Sequence, residues 1–240
     1  MIKKYPLYDV PKISSIQDML LRSAKEYSDK IALEDLTDYP IPKTNYKELR
    51  DFVIRFGKAL NEIGLKQRDH LVVIGENRVQ WGITYLTAMT FNMVIVPIDK
   101  NLTTNEILNI IHESDAKAIV FSNTFKEMLL EKKSSLLKLK YLISMDEEKS
   151  GDEIFSMTEL INKQNAYVDK LPDIDPTEMA EIIFTSGSLG RAKGVMLSQK
   201  NLAANLMAMT SMIRIGPEDR FLSVLPIHHT YECTCGFLCP

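Results

Sequence analysis

The stretch Phe184-Thr185-Ser186-Gly187-Ser188-Leu189-Gly190-Arg191-Ala192-Lys193-Gly194-Val195 sets hydroxyls, glycines and two cations between apolar flanks. Glycines let successive backbone amides crowd an anion with no Cβ in the way. Ser and Thr hydroxyls donate to it, and Arg191 or Lys193 supplies charge. The chemistry this suits is the holding of phosphates. It is not a Walker A loop, which needs G-x-x-x-x-G-K-S/T at the opening of a helix. Ala192 stands before Lys193 where that motif has glycine, and Gly194 follows where it has Ser or Thr. The next residues, Gly194-Val195-Met196-Leu197-Ser198, are short, apolar and bounded by turn residues, the signature of a strand. The loop is therefore expected to join two strands. The competing reading is an ordinary Gly/Ser-rich hairpin without a ligand.

A second polar cluster lies downstream. Phe221-Leu222-Ser223-Val224-Leu225-Pro226 reads as a buried strand stopped by proline, after which Ile227-His228-His229-Thr230-Tyr231-Glu232 places polar groups at its end. Ligands of open α/β sheets collect at the carboxyl ends of strands. Histidine there donates hydrogen bonds in either protonation state, which suits it to negative charge on a ligand. A structural histidine pair or a fragment of a metal site are the alternatives. Zinc has to be weighed because Cys233, Cys235 and Cys239 follow closely. Their C-x-C-x-x-x-C spacing, interleaved with Gly236, Phe237 and Leu238, departs from the C-x-x-C knuckles of compact zinc sites, so no metal ligands are assigned. Free cysteines read better as small buried hydrophobes.

These groups need rigid elements to carry them, and the chain supplies an alternation of helices and strands. Asn45 and Glu48 have capping-box spacing, and Leu49, Phe52, Val53, Phe56, Leu60 and Ile63 line one face of a helix ended by Gly64. A strand over 70–75, a helix over 79–91 and a strand over 94–98 ended by Pro97 and Asp99 follow. Thr103 and Glu106 form another capping box before Ile107, Ile110 and Ile111, with further strands over 118–121 and 141–145. Repeated units of this kind predict an α/β fold of mostly parallel sheets flanked by helices. The segment 171–178, with Pro172 and Pro176 among acidic residues, reads as a linker between a first subdomain over 1–172 and the start of a second over 173–240. Trp81, at helical spacing from Tyr85, reads as core or interface. Asp146, Glu147 and Glu148 read as an exposed acidic turn.

At 240 residues, 45% apolar and 25% charged, the composition is that of a globular protein, and a net charge of −3 gives no reason to invoke nucleic acid. No apolar run reaches the length of a membrane span, and the amino terminus lacks a signal-peptide core, so a cytoplasmic location is expected. A disulfide is not expected there. Oligomeric state is not readable.

The glycine loop closely resembles the phosphate-binding loop of the adenylate-forming enzymes, whose pattern is T-S-G-S/T-T-G-x-P-K-G-V. Two positions depart: Leu189 replaces a hydroxyl, removing one phosphate donor, and Ala192 replaces a proline, loosening the loop. The downstream segment resembles that family's L-P-x-x-H motif, in the form found in long-chain acyl-CoA synthetases, with His229 on the histidine position. The T-x-Y-x-E-L start, the G-E-N-R after a strand and the V-P-I-D-x-x-L-T-x-x-E-I run resemble the family's large domain in order and spacing. The resemblance implies that a carboxylate, of a fatty acid first of all, attacks the α-phosphate of ATP to give an acyl-adenylate, and that the thiol of coenzyme A then takes the acyl group. It implies Thr185, Ser186, Gly187, Ser188, Gly190 and Lys193 as nucleotide-binding positions, Lys193 and His229 as catalytic ones, and magnesium on the phosphates. Glu232 belongs to the same run and is given no chemistry. The family's later motifs do not occur, so the chain is expected to be an amino-terminal fragment, inactive by itself. An aryl-acid or amino-acid adenylating enzyme and a non-catalytic nucleotide-binding module are the alternatives.

Overall fold

The structure, a computed structural model, describes residues 7–185 and 193–240. In chain order come α1 (Ile16–Glu26), β1 (Ile31–Glu34), β2 (Lys43–Asn45), α2 (Tyr46–Ile63), β3 (His70–Ile74), α3 (Val79–Thr90), β4 (Val94–Ile98) and α4 (Thr104–Glu113). Then follow β5 (Ala118–Phe121), α5 (Lys126–Lys132), β6 (Tyr141–Ser144), β7 (Ile154–Ser156), α6 (Met157–Asn162), β8 (Met179–Thr185), β9 (Lys193–Ser198), α7 (Gln199–Met212) and the short turn α8 (Thr230–Glu232). β1 and β2 form a small antiparallel pair; the other seven strands make one sheet in the order β7-β6-β5-β3-β4-β8-β9. All of its pairings are parallel except β8 with β9.

Strand residues alternate between two cores, as a parallel sheet covered on both faces requires. Leu71, Val73, Ile95 and Val120 face α1, α2 and α3, while Val72, Val94, Val96 and Ile119 face α4 and α5. The helix ends follow the expected local rules. Both capping boxes are closed, by Asn45 with Glu48 and by Thr103 with Glu106, and Gly64 stops α2 at φ 116, a backbone setting that costs glycine nothing. Pro97 lies inside β4 rather than ending it. β4 joins β8 through the single bridge Ile95↔Glu181, a seam that Pro97, with no N–H to give, does not extend.

Two expectations are corrected. Residues 221–226 are not a buried strand: they have no regular structure, and Leu222 is 78% exposed. The Leu225 carbonyl and the Ile227 N–H meet the Asn77 side chain instead of a neighbouring strand. Asp146 and Glu147 are not a free acidic turn, because Asp146 pairs with the buried Arg78 and Glu147 with Lys126. Beyond the Pro- and Asp-rich segment, β8 and β9 complete the seven-stranded sheet. Among the described residues, no helix is long and apolar enough to cross a membrane.

Candidate functional site

The carboxyl ends of β3, β4 and β8 fall on one edge of the sheet, since β4 runs parallel to both its neighbours. Thr185 ends β8 and Lys193 begins β9; the two are paired across the antiparallel ladder, and the Thr185 hydroxyl lies 3.5 Å from the Lys193 carbonyl oxygen. Both are exposed. The segment between Thr185 and Lys193 therefore joins two paired strands, as the apolar run after Lys193 implied. Ser186, Gly187, Ser188 and Gly190, with Leu189, Arg191 and Ala192, lie outside the described residues.

The histidine segment comes to the same edge. Asn77, two residues beyond the Gly75 that follows β3, bonds to Ser223, Leu225 and Ile227. Asp99, just after β4, stands 3.6 Å from His228. His228 is half-buried, and burial holds its pKa below the usual histidine value against the opposing pull of Asp99. His229 is exposed and caps α8: its Nδ1 accepts a long hydrogen bond of 3.4 Å from the Tyr231 N–H. A ring whose Nδ1 accepts carries its proton on Nε2, and among the described residues that nitrogen has no hydrogen-bond partner. Of the two histidines, His228 stands beside Asp99 and is half-buried, while His229 is exposed.

Behind this edge lies a buried polar cluster. Glu181, on β8, is 2% exposed and accepts a 3.2 Å hydrogen bond from the Tyr85 hydroxyl. Tyr85 stacks on Trp81 at 5.5 Å, and Phe237 meets both rings edge-on, so Trp81 is a core residue as its spacing implied. Burial pushes the Glu181 carboxyl up to about 7 and raises the Cys233 thiol well above its usual value. With Ile183, Leu197, Leu202 and Thr234, these two line a cavity of about 180 Å³ beside the turn that begins at His229. Sequence reasoning passed over Glu181, although a lone acid in the apolar run Met179–Phe184 was a visible signal. Glu232 is also buried, with Oε1 unpartnered among the described residues. A Cβ on Gly236 would sit 2.2 Å from that oxygen, so a larger residue there would displace the Glu232 carboxyl. Cys233, Cys235 and Cys239 are free, and among the described residues no three His, Cys, Asp or Glu side chains gather to hold a metal.

The raised carboxyl has a direct consequence for stability. The folded protein holds the Glu181 proton up to about pH 7, whereas an unfolded chain releases it near its ordinary value of 4.5. Stability present below that lower value is therefore lost as the pH rises through 7. Glu181→Gln should remove this dependence. Between pH 4 and pH 8 the wild type should lose roughly 2–3 kcal/mol relative to the variant. Parallel urea-unfolding curves at both pH values would show no Glu181 effect if the two proteins kept a constant difference.

An open, mostly parallel sheet covered on both faces, with the β8–β9 pair and a histidine segment at its carboxyl edge, defines an α/β domain of the open-sheet class. The chain belongs to the AMP-binding enzyme family, whose model matches residues 20–240. It is 29% identical to a chloroplastic long-chain-fatty-acid acyl-carrier-protein ligase of Arabidopsis thaliana over 92% of this chain and 34% of that protein. It is likewise 29% identical to long-chain-fatty-acid–CoA ligase 5 of Rattus norvegicus, over 80% of this chain and 31% of that one. The crystal structure of a long-chain-fatty-acid-CoA ligase from Archaeoglobus fulgidus superposes with a TM-score of 0.83 at 21% identity, covering 98% of this chain and 46% of its own. The chain thus spans about a third of the length of these curated relatives.

Proposed function

We propose that the protein activates a fatty acid with ATP, forming an acyl-adenylate and pyrophosphate, and that the acyl group then passes to a thiol, that of coenzyme A. The observation that carries this reading is the meeting of two family-like segments, the Thr185 to Lys193 turn and the His229 turn, on one edge of the sheet. The acid's oxygen attacks the α-phosphorus as the bond to the β-phosphate bridge oxygen breaks, so negative charge moves onto the departing pyrophosphate. Lys193, the Thr185, Ser186 and Ser188 hydroxyls, and amides freed by Gly187 and Gly190 are suited to receive that charge. The Nε2–H of His229 is suited to hold the carboxylate and α-phosphate oxygens together. Among the described residues no three His, Cys, Asp or Glu side chains gather into a cage for a metal, which suits magnesium carried in on the phosphates. There it would offset their charge.

The test is acid-dependent exchange of labelled pyrophosphate into ATP by the full-length protein, across fatty acids of increasing length, aryl acids and amino acids. Exchange confined to fatty acids is the expected result. Exchange with aryl or amino acids instead would reassign the substrate, and none with any acid, in folded protein, would reduce the site to a nucleotide binder.

A further inference from the structure

We propose that Asn77 is the positioning residue of the histidine turn: its carboxamide splints the backbone on both sides of Pro226 and so sets where His229 stands. Among the described residues, 221–226 have no strand partner, and Pro226 has no N–H to offer one. Asn77 replaces the missing ladder. Its Nδ2 donates to the Leu225 carbonyl at 2.7 Å and to the Ser223 hydroxyl at 2.9 Å, while its Oδ1 accepts from the Ile227 N–H at 3.0 Å. The Pro226 carbonyl, inside this bracket, accepts the His229 N–H at 2.9 Å. His229 is thus bonded into the turn that Asn77 closes, across 150 residues of sequence.

No neighbouring side-chain type does the same. Aspartate at 77 would keep the acceptor for Ile227 but lose both donated bonds, and alanine would lose all three. Asp99 is the weaker anchor, since it reaches only His228, and burial favours the neutral form of that ring. Asn77 is itself held in place: Arg78, the next residue, is buried and paired with Asp146. The role of His229 rests on the adenylation reading, and the test separates the two.

Hydrogen exchange followed by mass spectrometry on the full-length protein, wild type against Asn77→Ala, reads the splint directly. Peptides over 223–231 should exchange about tenfold faster in the variant, the size of one lost hydrogen bond, while those over Val79–Thr90 keep their protection. In the same samples, acid-dependent adenylation should lose about 10²-fold in kcat with the Kd for ATP unmoved, the split expected of a misplaced reacting group. Asn77→Asp should fall between the two and carries the same comparison if the alanine variant does not fold. Unchanged exchange over 223–231 overturns the proposal, and so does a uniform rise across the domain. A wild-type protein inactive with every acid would sink the adenylation reading and leave hydrogen exchange to decide on Asn77.

Discussion

Asp146→Ala is expected to destabilise the protein by about 3–5 kcal/mol, because it strips the counter-charge from a buried guanidinium. The Arg78 side chain is 1% exposed, and its Nη1 lies 2.7 Å from Asp146 Oδ1. The remaining contacts cannot neutralise it: Gln80 accepts from Nε at 3.0 Å, and Tyr39 offers its ring face at 3.7 Å. The second Asp146 oxygen accepts the Asn123 N–H at 2.7 Å, so the substitution also frees the start of the turn after β5. The midpoint of urea unfolding, compared with wild type at constant slope, measures the cost. The double variant Arg78→Met with Asp146→Ala should recover most of it, since the pair itself contributes little beyond its own desolvation. A single variant as stable as the wild type would show that water reaches Arg78.

Lys193→Ala is expected to slow acyl-adenylate formation about 10²- to 10³-fold, the usual effect of removing one group aimed at developing charge. Lys193 is exposed at the first position of β9, so its side chain supports no packing and the variant should unfold with the wild type. The loss should appear in single-turnover adenylation, measured apart from thiol transfer. Lys193→Arg should regain part of the rate by restoring charge with a different shape. Unchanged adenylate formation by Lys193→Ala would remove the loop from the mechanism and with it the reading of Thr185, Ser186, Gly187, Ser188 and Gly190.

Much of the fold was legible in the chain because its signals are local. A capping box is a contract between residues three apart, as with Asn45 and Glu48, and needs no neighbour from elsewhere. Continuous apolar runs such as Leu71–Ile74 and Val94–Val96 identify strands buried on both faces whichever strands flank them. The failure at Phe221–Leu225 has the complementary cause. An apolar run becomes a strand only where an edge receives it, and here Asn77 receives the backbone instead.

By itself the sequence determined where α2 stops, that 70–74, 94–98, 118–121 and 141–144 are strands, that a hydroxyl- and glycine-rich segment links two strands, and which residues carry the family resemblance. Each of these depends on residues within a few positions of one another. Only the tertiary structure decided that Asn77 meets Ile227, that Arg78 meets Asp146 across 68 residues, and that Tyr85 meets Glu181 across 96. Such partners are chosen by the strand order β5-β3-β4-β8, which brings distant loops to one edge, and no local spacing encodes that order. The same order distinguishes His229 from His228: Asp99, just after β4, stands beside His228, while His229 is exposed at the start of α8.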